Sequence, residues 1–290
     1  MQFKDFMKLS DFFFVTIGIE PYVKPGGLLA TNQSSWKKNL IFSMNLLNMN
    51  WILFSEVLFI VLAVLQHKNF VEATMTLVYV GFVSAGDLKM LSVWRKKQHL
   101  TQFINDLYEL FPRDPEEQLA KYDMKKYLRQ CTALTIGFSL MYMLLIWTYN
   151  LFAMFEYLIY DALLQKRVIE PELPYFMYIA WDWRNNWSYY LLYASQVFAG
   201  YTSAAGQISS DLLLCSAATQ MVMHYDYLAR TLTEYKVKFE NEQNFKTKQE
   251  DMQFLAYIVA YHDKVLRLVQ ESFPIANIFF IENLKIFKIF

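Results

Sequence analysis

At 290 residues and 34.5 kDa the chain has the length of one large or two ordinary soluble domains, but 55% of it is apolar, 18% aromatic and only 19% charged, more apolar surface than one compact core hides. Eight glycines and seven prolines are too few for low-complexity linkers or turn-dense β architecture, so long helices are expected. A net charge of zero, with 27 basic and 27 acidic residues, excludes the basic field of a nucleic-acid binder, and two cysteines, Cys131 and Cys215, make neither a disulfide scaffold nor a zinc site.

The N-terminus, MQFKDFMKLSDFFF, is broken by charges and lacks the uninterrupted apolar stretch of a cleaved signal peptide. Membrane insertion then has to come from internal segments of about 20 apolar residues. The first runs from Leu40 to Leu65 with a single charge, Glu56. The second, Phe70 to Trp94, carries Glu72, Asp87 and Lys89 towards its ends. Thr132 to Phe155 and Trp187 to Ser210 each run 24 residues without a charge, where a water-soluble helix shows a polar stripe. A fifth run, Ser272 to Ile281, is ten residues long before Glu282, Lys285 and Lys288 intervene, and is expected not to span.

Lys and Arg accumulate on cytoplasmic segments near spans. The N-terminal 39 residues hold five, Arg95 to Cys131 eight and Met221 to His262 five, against four in Gln66 to Asn69 and Glu156 to Asn186 together. The excess places the N-terminus inside the cell. Between spans, Leu100, Phe103, Ile104, Leu107 and Phe111 repeat at helical spacing, and Pro112 to Glu117 reads as a turn in which Asp114 caps a new helix beginning at Pro115. Beyond the fourth span Leu228, Leu232 and Tyr235 continue a helix; after a polar turn from Asn241 to Glu250, residues Leu255, Ile258, Val259, His262, Val265 and Leu266 line another. These amphipathic helices are expected to pack as a base beneath the membrane. The expected architecture is all-α: a polytopic transmembrane helical bundle forming one domain over 1–290.

Leu173-Pro174-Tyr175 followed by Trp181-Asp182-Trp183 in the loop, Tyr189-Tyr190, Tyr193 and Gln196 opening the fourth span, Asp211 closing it, and His262 four residues before Leu266 together resemble the insect odorant receptor family. The resemblance covers about Leu40 to Phe273. It implies an odorant-specific subunit in the plasma membrane of olfactory sensory neurons, binding small apolar odorants and assembled with a co-receptor subunit as a ligand-gated, non-selective cation channel. Family members complete a fifth span and add two more, the last lining the pore, whereas this chain ends Ile281-Glu282-Asn283-Leu284-Lys285-Ile286-Phe287-Lys288-Ile289-Phe290. It is therefore read as a truncated gene model, splice variant or fragment, not expected to conduct as 290 residues alone. A gustatory receptor of the same superfamily is the near alternative, and a G-protein-coupled receptor a distant one, opposed by the cytoplasmic N-terminus.

A membrane-bound lipid enzyme would need His or carboxylates clustered at one membrane face. His67, His99, His224 and His262 are far apart in sequence and make no metal-ligand spacing, and there is no phosphate loop or nucleophile elbow. No catalysis, metal or cofactor is expected. Glu56 is the foremost charge within a span, past its middle and without a cation in its own helix, whereas Asp87, beside Lys89 and Arg95, reads as solvated at the interface. A volatile ligand needs an apolar pocket with a few polar groups, and three stripes in the outer halves of the spans offer one: Met75, Tyr79 and Val83; Tyr142, Leu145 and Tyr149; Tyr190, Tyr193 and Val197. Each triplet lies on one helix face; the competing reading turns them to lipid or a neighbouring helix. Gly200, Ala204, Ala205 and Gly206 form a small-residue strip for close helix packing. Cys131 and Cys215, near the cytoplasmic boundary, read as plain buried cysteines, with acylation the alternative.

Overall fold

A computed structural model describes residues 2–25, 35–67, 69–112, 120–165, 172–184, 186–237 and 245–287. Seven α-helices follow one another among these residues: α1 (Phe3–Thr16), α2 (Ser35–Leu65), α3 (Phe70–Arg95), α4 (Lys97–Leu110), α5 (Met124–Glu156), α6 (Ser188–Glu234) and α7 (Phe245–Phe287). A π-helical segment, Tyr157–Leu163, prolongs α5, and no strand occurs among the described residues. The expected turn from Pro112 to Glu117 with its Asp114 cap falls largely outside them.

Three of the helices, over Trp36–Leu65, Phe70–Arg95 and Met124–Ile159, are long and apolar enough to cross a membrane. Their lipid-compatible faces are plain: Leu47, Phe54 and Leu65 on α2, Val71 and Val78 on α3, and Leu144 and Phe152 on α5 are all exposed. The charge-free stretch expected as the fourth span opens α6, which runs on without a break to Glu234. Its hydropathy is diluted by Ser195, Gln196, Thr202, Ser203, Gln207, Ser209 and Ser210, and all of these but Ser195 are buried.

Burial of so many small polar groups makes α6 the axis on which the other helices pack, because each group needs a partner away from water. Asn48 of α2 donates to the Ser195 carbonyl (2.9 Å) and accepts from the Ser195 hydroxyl (2.5 Å). Gln207 donates to the Phe82 carbonyl of α3 (2.9 Å), and Ser10 of α1 donates to the Ser209 carbonyl (2.9 Å). The small-residue strip serves the same packing. A Cβ on Gly206 would lie 2.5 Å from Met90 Cγ, part of a flexible side chain, whereas one on Gly86 of α3 would lie 2.7 Å from the Ser203 carbonyl oxygen, so the bare Gly86 sets how closely α3 and α6 approach.

The base lies at the end of the bundle opposite the segment 172–184. The stripe Leu100, Phe103, Ile104 and Leu107 of α4 is buried there. α1 starts there and runs along α6, with Phe3, Phe6, Met7, Ser10, Phe13 and Phe14 facing inward and Thr16 accepting from the Tyr201 hydroxyl at 3.0 Å, although the charges Lys4, Asp5, Lys8 and Asp11 interrupt the run. Phe3 meets Tyr108 and Phe111 edge to face at 5.4 and 5.5 Å. A polar knot joins α6 to α7 at this end: His224 Nδ1 lies 2.8 Å from the Tyr261 hydroxyl, itself 3.0 Å from the Tyr122 hydroxyl. On α7, Ile258 and Val265 are buried while Leu255, Val259 and Leu266 are exposed, and His262 is exposed beside the Tyr225 ring. The run 272–281 belongs to α7, which is helical through it to Phe287.

Asp87 differs from its expected place. It is buried rather than solvated at an interface, one of its oxygens has no partner among the described residues, and Asn50 supplies a side-chain hydrogen bond. Lys89 turns to another helix, donating to Asp211 Oδ1 of α6 at 2.8 Å.

Candidate functional site: a tyrosine cluster at the loop end

The segment 172–184 folds back onto the helices at the end opposite the base. Its main chain is tied down at three points. Gln196 of α6 bridges Tyr175, accepting from its N–H at 3.1 Å and donating to its carbonyl at 3.0 Å. The Tyr178 N–H donates to the Ser55 carbonyl of α2 at 3.1 Å, and the Tyr189 hydroxyl to the Glu172 carbonyl at 3.2 Å. Phe176 stacks on Phe59 with ring centroids 6.1 Å apart.

So held, the loop inserts Tyr175 between α3, α5 and α6. Its ring stands edge-on to Tyr79 of α3 (5.2 Å) and stacks with Tyr149 of α5 (5.6 Å), while Tyr79 and Tyr149 lie 5.0 Å apart and join through their hydroxyls. The Tyr175 hydroxyl donates to Asn150 Oδ1 at 2.6 Å, and Tyr193 of α6 donates to the Asn150 carbonyl at 2.5 Å. Gly200 makes room for this arrangement: a Cβ there would lie 2.5 Å from the Tyr175 hydroxyl and 3.2 Å from Asn150 Oδ1. Asn150 itself is buried, with its amide nitrogen unpartnered among the described residues. Burial, and after it the nearby charge of Glu56, pushes the Tyr175 phenol above its ordinary pKa, which keeps it a neutral donor. Four rings thus meet about one amide, a combination of apolar contact and few hydrogen-bonding groups that is the composition of a small-molecule site.

The nine residues of the expected stripes divide. Tyr79, Tyr149 and Tyr193 meet in the cluster described above. Val83 is buried and Tyr142 packs against the core, one or more turns nearer the base, and Val197 is half-buried. Met75, Leu145 and Tyr190 are 52%, 64% and 69% exposed and do not join the rings. The inward seam of α3 runs through Ala73, Thr76, Val80, Val83, Asp87 and Met90, so a stripe anchored on Met75 starts off that seam and converges with it only at Val83. Tyr190 follows the inward-facing Tyr189 by one position, about 100° round the helix, and its ring meets that of Tyr189 edge to face at 5.3 Å on the outer side of the cluster.

Asn150 and Tyr175 were not among the expected ligand residues. Asn150 carried a usable signal: it is the one side-chain amide in the charge-free run from Thr132 to Phe155, and an amide in hydrocarbon calls for partners. Tyr175 stands in a loop without periodicity, and nothing in spacing alone directs it inward. Among the described residues no group of three or more His, Cys, Asp or Glu is placed to hold a metal ion.

The fold is that of an all-α transmembrane helical bundle, with a tyrosine cluster at one end and a helical base at the other. The chain belongs to the odorant receptor family: the sequence model described as 7tm Odorant receptor matches residues 69–287. It is similar to Odorant receptor 85c of Drosophila melanogaster, 41% identical over 264 residues that make up 91% of this chain and 65% of that protein. It is also similar to Odorant receptor 85b of the same fly, 40% identical over 267 residues, 90% of this chain and 64% of that protein. The chain thus spans about 65% of the length of these relatives. In structure it resembles the insect olfactory receptor OR5 from Machilis hrabei, with a TM-score of 0.71 at 13% identity over 94% of this chain and 65% of the other. The same receptor in complex with eugenol gives a TM-score of 0.69 at 13% identity, with 95% and 65% covered.

Proposed function

We propose that the chain is an odorant-specific receptor subunit that binds a small volatile molecule at the loop end, among α3, α5 and α6. Its setting is the plasma membrane of olfactory sensory neurons, crossed by spans near 40–65, 70–94, 132–155 and 187–210, with the N-terminus and the base in the cytoplasm. The excess of Lys and Arg on the base side supports that orientation. With a co-receptor subunit, as family membership implies, it gates a non-selective cation channel. Gating energy comes only from the difference in odorant affinity between closed and open states.

The observation that carries this reading is the convergence of Tyr79, Tyr149, Tyr175 and Tyr193 about the buried Asn150. Odorant-evoked currents, recorded with the sequence carried in a complete receptor beside its co-receptor, test it. Replacing Tyr149 or Tyr193 by alanine is expected to change which odorants of a panel activate while surface expression persists, because each ring offers a small ligand a large apolar area. Variants that reach the surface with an unaltered response profile overturn the assignment of the site.

A further inference from the structure

The feature that the packing of the loop-end site leaves unexplained is Glu56. It sits on α2 next to Ser55, whose carbonyl takes the Tyr178 N–H of the inserted loop. Only 1% of it is exposed, and both carboxyl oxygens lack a hydrogen-bond partner among the described residues. A buried carboxyl without a partner is costly whether or not it is ionised, and within a membrane-crossing helix such a residue marks a functional position. The neighbouring Ser55 thus fastens the loop three residues beyond Tyr175, whose ring meets Tyr79 edge-on at 5.2 Å.

Those phenols do not satisfy it. The Tyr175 hydroxyl is given to Asn150 Oδ1, the Tyr193 hydroxyl to the Asn150 carbonyl, and the Tyr79 and Tyr149 hydroxyls are joined to each other. This end of the bundle therefore holds aromatic surface together with a strong, buried acceptor that has no partner among the described residues.

We propose that the loop-end site selects ligands carrying an N–H or O–H donor, with the Glu56 carboxyl as the acceptor and the rings of Tyr79 and Tyr175 beside it. The ligand class is a small apolar molecule with a single donor headgroup, a primary alcohol or a primary amine. An alcohol gives Glu56 one hydrogen bond; a protonated amine adds charge pairing and the attraction of an ammonium group for aromatic faces. The inference rests on the odorant-binding reading and deepens it.

Titration calorimetry on the full chain in lipid nanodiscs tests it with three probes of nearly equal size: 1-hexanol, hexylamine and methyl pentyl ether, the last without a donor. At least one donor probe is expected to bind about tenfold more tightly than the ether. Glu56→Leu is expected to erase that preference while leaving ether binding in place. Glu56→Gln separates the two headgroups: loss of hexylamine binding alone identifies a charge-paired amine, and retention of 1-hexanol binding identifies a neutral hydrogen bond. Equal binding of all three probes by the unsubstituted chain overturns the proposal without recourse to any variant, as does a preference that survives Glu56→Leu. Failure of the odorant reading looks different, because ether binding would then be absent or indifferent to both Tyr149→Ala and Tyr193→Ala.

Discussion

Gly86→Ala is expected to weaken the bundle where the same change at Gly81, on the same helix, does not. A Cβ on Gly86 would stand 2.7 Å from the Ser203 carbonyl oxygen and 3.0 Å from its Cα, whereas ordinary contact begins at 3.4 Å. The neighbour is backbone and cannot rotate aside, so α3 and α6 must part by about half an ångström along their seam. Overpacking of this kind costs about 1–3 kcal/mol, offset by up to about 1 kcal/mol from the better helix propensity of alanine. The net loss is about 1–2 kcal/mol. At Gly81 nothing lies within 4 Å of the added carbon, which leaves only the propensity gain. Gly206→Ala falls between them, since the atoms it meets, Met90 Cγ and Sδ, belong to a flexible side chain that can swing away. Thermal unfolding of the purified chain in nanodiscs reads the order: Gly86→Ala lower by roughly 2–6 °C, Gly206→Ala close to the parent, Gly81→Ala level or higher. A Gly86→Ala protein that melts with the Gly81→Ala protein refutes the claim that the glycine sets the separation of α3 and α6.

Asp211→Asn leaves the Lys89 ammonium buried without its counter-charge, and a loss of about 1–3 kcal/mol is expected, below the figure for a fully buried pair because the Asp211 side chain is 40% exposed. The double change Lys89→Met with Asp211→Leu is expected to recover most of it in the same melting assay. His224 gives a pH signature at the base, where burial lowers its pKa to about 4. The unfolded imidazole takes up a proton near 6.5 and the folded one only near 4, so stability is full above about 6.5 and falls as the pH drops towards 4, by roughly 3 kcal/mol; His224→Phe is expected to flatten that slope in melts from pH 7 to 4. Asn32, in the Asn32-Gln33-Ser34 sequon and outside the described residues, is expected to stay unglycosylated, and a glycosidase-sensitive shift that disappears in Asn32→Gln would place the N-terminus outside.

Hydropathy made α2, α3 and α5 legible because their outward faces are apolar along their whole length. In α6 the run lacks charge, but Ser203 and Gln207 reach the Phe82 carbonyl of α3 while Thr202 and Ser209 bond back to carbonyls of their own helix, and such hydrogen bonding leaves no periodic mark. The stripe of α1 was present in Phe3, Phe6, Met7, Ser10, Phe13 and Phe14, masked by the charges that face away from it. At the site, Tyr79, Tyr149 and Tyr193 could be read as aromatic positions near one end of their helices. Met75, Leu145 and Tyr190 could not be separated from them, since a small rotation about a helix axis decides which ring enters and sequence spacing does not fix that rotation. Glu56 stood out in the sequence as an isolated charge in an apolar run, and its surroundings became visible only once the loop was seen to fold inward.

That inward fold has a consequence for how ligand preference can change over evolutionary time. Tyr175 occupies the middle of the site but hangs from a segment that belongs to no helix, fastened by main-chain contacts to Gln196 and Ser55 that do not depend on which side chain the loop carries at this position. Loop positions accept substitutions that helix interiors reject. Exchanging this residue alters the volume and polarity of the cluster while the lipid-facing surfaces and the polar seams of α6 stay as they are, so chemical selectivity can drift without a toll on membrane assembly.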